Sequence, residues 1–268
     1  AEKTLGQPDH RLHLLLGQSH EGLDQVESAV AGYEKAIQLN PLDTRPMFLL
    51  GRLCERVGLI FKARQYYQAT ITIEPDHLPA REALAQSYMN QLQQFLRPEE
   101  RNEIQKRLLG EIKELEVRGA QSPPTQRITA LFRYLFLPAD EDDRRGPYLE
   151  TLTRLAYDFP DDQRTHELLA TTLFAFREYT TAAVHVEEML KRDPYSSTGN
   201  ELQSLLLIRA LRFDEAVERL RTILEWYPNR TAWIQTLSNL YLLDRRYDEA
   251  VALWDHLLSL PGPEERRM

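Results

Sequence analysis

The sequence predicts an all-α fold of about seven antiparallel helix pairs that stack on one another, with an irregular centre. The first observation is a period of 34 residues, since Pro41 and Pro75 lie one period apart and Pro160, Pro194 and Pro228 are spaced in the same way. Each proline follows an amphipathic segment, and because proline cannot continue a helix, each marks a helix end. The second observation is that small and large apolar residues recur at fixed distances before these prolines.

Small residues stand twelve positions before four of the prolines, and larger apolar residues stand eight positions before them. These residues are Ala29, Ala63, Ala182 and Ala216, and Tyr33, Tyr67, Val186 and Leu220. Small residues let two antiparallel helices approach closely, and apolar residues at helical spacing give each helix a buried stripe. One helix pair cannot bury its apolar face alone, so the pairs must stack. Gly58 is expected where a first helix turns into a second.

The period divides the chain into segments. Residues 1–9 are an N-terminal extension, and residues 10–118 form an array with pairs 10–43, 44–77 and 78–118. In the third of these, the second helix is displaced and long, from about Glu99 to Arg118. Residues 119–162 are an atypical central pair with an acidic loop at 138–146. A second array covers 163–264, with pairs 163–196, 197–230 and 231–264, and residues 265–268 are a tail.

The pattern resembles the tetratricopeptide repeat (TPR) family, whose motif reads W-x₂-L-G-x₂-Y…A-x₃-F…P. Leu16–Gly17 and Leu50–Gly51 carry its Leu-Gly pair, and the alanine and proline phases match throughout. The tryptophan position departs from the motif, because it holds His13, Met47, Arg81, His166, Asn200 and Ile234. The resemblance implies a right-handed α-solenoid, a superhelix whose concave groove binds a peptide or a segment of another protein.

Composition sets limits on function. The 268 residues are 42% hydrophobic and 28% charged, which is typical of a globular protein rather than a disordered one. The net charge of −8 argues against general affinity for nucleic acid. No apolar run approaches the roughly 20 residues that span a bilayer. The sequence begins at Ala1 rather than Met, so a removed leader is left open, and so is the choice between cytoplasm and a bacterial periplasm or envelope.

No motif specifies a reaction, a metal or a cofactor. Gly17 and Gly22 have the glycine spacing of a phosphate loop, but Leu23 and Asp24 stand where Lys and Ser or Thr are required. The seven histidines are scattered and are expected to be packed or solvated rather than ligands. Cys54 falls on a core position and is expected to be buried. We therefore expect a protein that is not an enzyme and that needs no cofactor.

The groove positions that the resemblance implies give two zones. The N-terminal zone combines arginines with polar and aromatic residues: Arg11, Arg45, Phe48, Arg52, Arg56, Glu82, Gln86 and Asn90. Three of its arginines share one helix face and could grip an acidic segment through bidentate hydrogen bonds. The alternative is that they pair with acids of the same chain, such as Glu55 and Glu82.

The C-terminal zone is more apolar and suits an amphipathic helix or apolar side chains of a partner. It comprises Phe174, Leu205, Ile208, Arg209, Gln235, Asn239 and Leu242. The alternative here is that several of these residues belong to the core.

We therefore expect a protein–protein interaction adaptor or scaffold whose partner is another protein or a peptide of unknown identity. Two alternatives stay open. One is a self-assembling scaffold, a homo-oligomer in which the segment FRYLFL at 132–137 and the terminal repeats make contacts between copies. The other is a regulatory or substrate-binding part of a larger enzyme.

Overall fold

In the computed structural model, which describes residues 9–94, 96–119, 121–136 and 141–260, those residues form fourteen α-helices and no strand. The first seven are α1 (His10–Gly22), α2 (Val26–Leu39), α3 (Thr44–Arg56), α4 (Ile60–Ile73), α5 (Leu78–Leu92), α6 (Pro98–Val117) and α7 (Pro123–Phe136). The others are α8 (Glu141–Asp158), α9 (Gln163–Ala175), α10 (Tyr179–Arg192), α11 (Ser197–Arg209), α12 (Phe213–Trp226), α13 (Thr231–Leu243) and α14 (Tyr247–Ser259).

The chain divides into two compact units, Ala1–Tyr148 and Leu149–Met268, with the boundary inside α8. In the first unit, α1 to α6 pack in sequence, each against the next, and α7 packs on α5 and α6. In the second unit, α9 to α14 also pack in sequence, and α11 additionally contacts α9. Each unit is therefore a stack of helix pairs, and the predicted all-α solenoid class is confirmed.

The acidic loop expected at 138–146 is not a loop over its second part. Helix α8 begins at Glu141 and contains Pro147 within it, while residues 138–140 lie outside the described residues. Glu and Arg are good helix formers, and Pro147, a residue that usually ends or kinks a helix, is tolerated inside α8. The helix therefore includes residues 141–146, for which the sequence had predicted an acidic loop.

The irregular third pair has a long second helix. Helix α6 has 20 residues, whereas the other second helices of the regular pairs have 13 or 14. It begins with Pro98 at its first position, where the missing N–H is no loss, and the Glu100 carboxylate accepts the backbone N–H of Arg97 at 3.3 Å. Four buried residues at helical spacing join the core of the first unit: Ile104, Leu108, Ile112 and Leu115.

Polar residues at the position of the TPR motif's tryptophan join consecutive pairs through hydrogen bonds. Arg81 Nε donates to Pro75 O at 2.9 Å, and Asn200 Nδ2 donates to Pro194 O at 2.9 Å. His166 Nε2 lies 3.0 Å from Pro160 O, so this ring nitrogen carries a proton and donates. In each case the acceptor is the carbonyl of the proline six residues earlier, which ends the preceding pair. All three side chains are buried, and an unpaired acceptor at that depth would cost about 1–3 kcal/mol.

A glycine of the first helix packs directly against a tyrosine ring of the second in the first two pairs. A Cβ placed on Gly17 would lie 2.6 Å from Tyr33 Cδ1, and one placed on Gly51 would lie 2.6 Å from Tyr67 Cε1. Both tyrosine side chains are fully buried. The absence of a side chain on the glycine thus fixes the distance between the two helices of a pair.

We expect Gly51→Ala to lower the free energy of unfolding by about 1–3 kcal/mol, because the added methyl group would overlap the Tyr67 ring. Gly110 in α6 is the matched control, since a Cβ built there meets no atom of the described residues within 4 Å, apart from its chain neighbours and the backbone of its own helix. Gly110→Ala should raise the stability by about 0.5–1 kcal/mol through helix propensity alone. Urea unfolding followed by circular dichroism measures both changes, and effects of the same sign would contradict the packing argument.

In five of the pairs, the turn between the first and the second helix contains a residue in the left-handed region. Their φ angles are +56° at Asp24, +82° at Gly58, +65° at Arg177, +58° at Leu211 and +60° at Arg245. In each turn the next residue's N–H bonds to the carbonyl five residues earlier, as Leu59 N does to Cys54 O at 2.8 Å. Gly58 thus occupies the turn where it was expected, and the other four turns place a side chain in a conformation that favours glycine.

We expect Leu211→Gly to stabilise the second unit by about 1 kcal/mol, because it removes the Cβ strain of the left-handed conformation. The Leu211 side chain is 73% exposed, so little burial is lost. Leu211→Ala is the control, since it trims the same side chain but keeps the Cβ. Thermal unfolding compares the two variants, and equal midpoints would show that the turn is not strained.

Candidate functional site

The exposed arginines Arg45, Arg52 and Arg56 lie on one face of α3, which we call the arginine face. They are separated by seven and four residues, which are two turns and one turn of a helix. Arg45 is held in place by Asp43 at the helix N-cap, to which its Nε and Nη2 donate at 2.9 and 2.7 Å. These hydrogen bonds hold the pKa of the Asp43 carboxyl below its usual range.

The other two arginines of this face are held less firmly. Arg56 Nη2 lies 3.8 Å from Asp24 Oδ1, and both side chains are largely exposed. Arg52 makes no hydrogen bond or ion pair with any residue of the part of the chain that is described. An exposed ion pair of this kind is worth about 0–1 kcal/mol. Both guanidinium groups are therefore available to a ligand at little cost.

The acids that were considered as partners of these arginines are engaged elsewhere. Glu55 accepts the hydroxyl of Tyr67 at 2.8 Å, and Glu82 accepts hydroxyls from Ser122 and, at 2.7 Å, from Thr125. Glu82 thus joins α5 to the start of α7. The acid that holds Arg45 is Asp43, two residues before it.

The bond between Tyr67 and Glu55 has a counterpart one period earlier, where the Tyr33 hydroxyl donates to Glu21 at 2.5 Å. Burial raises the pKa of both tyrosines, and the neighbouring carboxylate raises it further. Arg52 acts in the opposite direction on both rings. The arginine face is therefore bordered by two carboxylates whose positions are fixed by tyrosine hydroxyls.

The remaining residues of the N-terminal zone are dispersed over three first helices. Phe48 is partly buried, with its ring 6.0 Å from that of Tyr67 and 4.9 Å from that of His77. Gln86 on α5 donates to Asn90 at 2.8 Å. Arg11 is exposed on α1. Phe48 therefore sits at the edge of the core, while the polar members face outward.

The C-terminal zone lies on α9, α11 and α13 of the second unit. Phe174 packs edge-on against Tyr179 at 5.3 Å, and the Arg209 guanidinium lies 4.6 Å above the same ring. Leu205 and Ile208 are partly buried, and Ile208 packs against the core around Trp233. Three exposed side chains follow one face of α13: Gln235, Asn239 and Leu242.

The segment FRYLFL is not an exposed patch along its described length. Phe132 is buried in the core of the first unit, and Phe136 packs against that core with its ring 5.2 Å from that of Phe132. Leu135 is exposed, and residue 137 lies outside the described residues. Phe132 and Phe136 are four residues apart, so they lie on the same side of α7. That side of the helix packs against the core.

Among the described residues, no group of three His, Cys, Asp or Glu side chains is arranged to hold a metal ion. His20 Nδ1 lies 2.7 Å from Gln25 Oε1, and His10 lies near Asp9 and Asp43. Cys54 is buried, and burial raises the pKa of its thiol, which disfavours the nucleophilic thiolate. No helix in the described part of the chain is long and apolar enough to cross a membrane.

Sequence reasoning missed one pair of side chains, His166 on α9 and His185 on α10. Their Nδ1 atoms lie 3.3 Å apart, although the residues are 19 positions apart in the sequence. The only available signal was the polar substitution at the tryptophan position of that repeat. That signal predicts an internal hydrogen bond but does not identify the histidine opposite it.

Residues 14–77 match the family model described as tetratricopeptide repeat. No curated protein sequence is significantly similar to the chain. The resemblance to the TPR family is therefore confirmed by sequence for the first two repeats. Beyond them, the similarity to solved structures is one of fold.

Two similar structures are TPR proteins. One, from Parabacteroides merdae, is 14% identical and superposes with a TM-score of 0.66 over 90% of this chain and 87% of its own. The other, from Thermus thermophilus, is 18% identical with a TM-score of 0.60 over 74% of this chain and 99% of its own. PilW, a type IV pilus biogenesis factor, is 12% identical with a TM-score of 0.62 over 85% and 97%. At sequence identities this low, the similarity shows that the chain shares the fold of these proteins.

Proposed function

We propose that this chain, which carries tetratricopeptide repeats, is a non-catalytic scaffold whose arginine face binds an acidic segment of a partner protein. TPR proteins generally take part in protein–protein interactions, and stacked helix pairs offer an extended binding surface. The observation that supports this site is the row of three exposed arginines on α3 in a chain of net charge −8. A local cationic face on an acidic protein attracts a ligand that the rest of the surface repels.

The three arginines have different roles in this proposal. Arg45 is oriented by its two hydrogen bonds to Asp43, and its side chain is still 61% exposed. It therefore marks one end of the face. Arg52 and Arg56 are one helical turn apart and supply the uncommitted charge. Each can bind a carboxylate through two parallel hydrogen bonds, which are the strong form of this interaction.

The two carboxylates at the border of the face are already engaged by hydroxyl groups. Glu21 and Glu55 are fixed by Tyr33 and Tyr67, so they do not swing onto the arginines. A partner carboxylate displaces at most the weak contact between Arg56 and Asp24, which is 3.8 Å long. Basic or neutral segments gain nothing from this face, and an acidic segment gains two charge-assisted contacts.

The second unit contributes a different kind of surface. Leu205 and Ile208 are partly exposed on α11, and Leu242 is 43% exposed on α13 beside Gln235 and Asn239. We place apolar side chains of a partner here, with the two amide groups satisfying its polar backbone. The two proposed surfaces belong to separate units and are tested separately.

We expect the double variant R52E/R56E to weaken partner binding at least tenfold, because two attractive charges become repulsive. Affinity capture from native lysate with mass spectrometry identifies the partner, and fluorescence anisotropy with its acidic segment measures the affinity. The matched control is K106E/K113E on α6, which makes the same change in net charge at two exposed lysines outside this face.

The control variant should bind as the unaltered protein does, and the affinity for the segment should fall as salt rises. Circular dichroism confirms that both variants keep their helices. If R52E/R56E is helical and retains the partner at full affinity, the arginine face is not the site. If no captured protein presents an acidic segment, the proposed ligand chemistry is wrong.

A further inference from the structure

We propose that His166 and His185 form a binding site for a divalent transition-metal ion such as Zn²⁺, with both Nδ1 atoms as ligands. The two Nδ1 atoms face each other at 3.3 Å, across the contact between α9 and α10. Two imidazole ligands at about 2.0–2.1 Å from a tetrahedral zinc ion are themselves about 3.3–3.4 Å apart. The spacing of the pair thus already equals the separation of two ligands of one ion.

The tautomer of His166 is fixed in the form that such a site requires. Its Nε2 donates to Pro160 O at 3.0 Å, so in the neutral ring Nδ1 carries the lone pair. A histidine that ligates a metal nearly always donates its other ring N–H in this way, often to a backbone carbonyl, and that bond fixes the orientation of the ring. His166 is also buried, so its orientation is maintained by packing. The fold therefore preorganises one ligand completely.

His185 supplies the second ligand, and the cleft that it lines gives the ion access to the site. It is partly exposed and lines a cleft of about 550 Å³ between α8, α9 and α10. Without a metal, one proton between the two rings makes a single N–H···N hydrogen bond. When an ion binds, His185 changes tautomer: the proton on Nδ1 is lost to solvent and Nε2 takes one up from solvent, so that the Nδ1 lone pair binds the ion.

The surroundings favour a cation. Glu150 and Glu178 line the same cleft as His185, and Glu188 lies one helical turn after it on α10. The opposing charges include Arg154 in the cleft, Lys191, which binds Glu188 at 2.9 Å, and Arg192, which also acts on Glu188. Since no third protein ligand is in position among the described residues, water from the cleft completes the coordination. A bound ion would then tie the first and second helices of one repeat together.

The test is calorimetric titration of the full chain, free of any purification tag, with ZnCl₂ alone in a buffer that does not bind metals. The unaltered protein should bind one ion per chain in a saturable manner. His185→Asn keeps a donor near Nδ1 for His166 but removes the second imidazole, and should weaken zinc binding at least tenfold. His256→Asn is the matched control, because His256 also contacts a proline carbonyl, Pro228 O at 3.0 Å, but faces no second histidine in the described structure.

Zinc should also raise the thermal midpoint of the unaltered protein and of H256N, but not that of H185N. Should H185N lose helical circular dichroism, His185→Gln replaces it with the same expectation. Zinc binding of equal strength in the unaltered protein and in a folded His185 variant overturns the proposal. The absence of saturable one-to-one binding to the unaltered protein overturns it as well.

Discussion

The close approach of the two helices in each pair is the constraint on which the rest of this structure depends. In the first two pairs a glycine contacts the ring of a buried tyrosine, and no Cβ fits between them. In the later pairs a buried small residue of the first helix stands at the position of this glycine, namely Ala170, Ser204 or Ser238. Because the distance within a pair is fixed, each pair presents the same apolar face to the next, and the stack can be extended by repetition.

Hydrogen bonds between pairs depend on this spacing. Arg81, His166 and Asn200 differ in size and chemistry, yet each reaches the carbonyl of the proline that ends the preceding pair. A tryptophan would fill that space with apolar surface, whereas these residues place a donor in it. Different residues at the same repeat position thus make the same hydrogen bond. Where that residue is histidine, its second ring nitrogen has a lone pair directed at His185.

Much of the architecture could be predicted from the sequence, because its determinants repeat. Gly51, Ala63 and Tyr67 occupy positions that the 34-residue period identifies, and the helix ends follow from the prolines. The partners of individual polar groups could not be predicted, because they depend on which rotamer reaches which atom. Asp43 rather than Glu55 holds Arg45, and Glu82 bonds to hydroxyls of the next helix. The helical start of α8 was missed because a short run of acidic residues next to a proline is typical of a loop.

The proposed partner-binding surfaces lie where the packing rules leave side chains unconstrained. The arginine face needs only that α3 turns one side outward, so its charge is unrelated to the repeat pattern. The residues of such a surface can be chosen to suit the partner. They do not affect the stability of the helix stack, which comes from the glycine–tyrosine contacts and from the apolar faces between pairs. This separation explains why the sequence indicates the fold so much more clearly than the ligand.

A double-mutant cycle between Gly51 and Tyr67 tests the central claim most directly. In the unaltered background, adding a methyl group at Gly51 forces it against the ring. In a Tyr67→Leu background the ring is absent, and Gly51→Ala should cost less than about 0.5 kcal/mol, which leaves a coupling energy of at least about 0.5 kcal/mol between the two positions. An equal cost of Gly51→Ala in both backgrounds would show that the glycine–tyrosine contact does not set the distance within the pair.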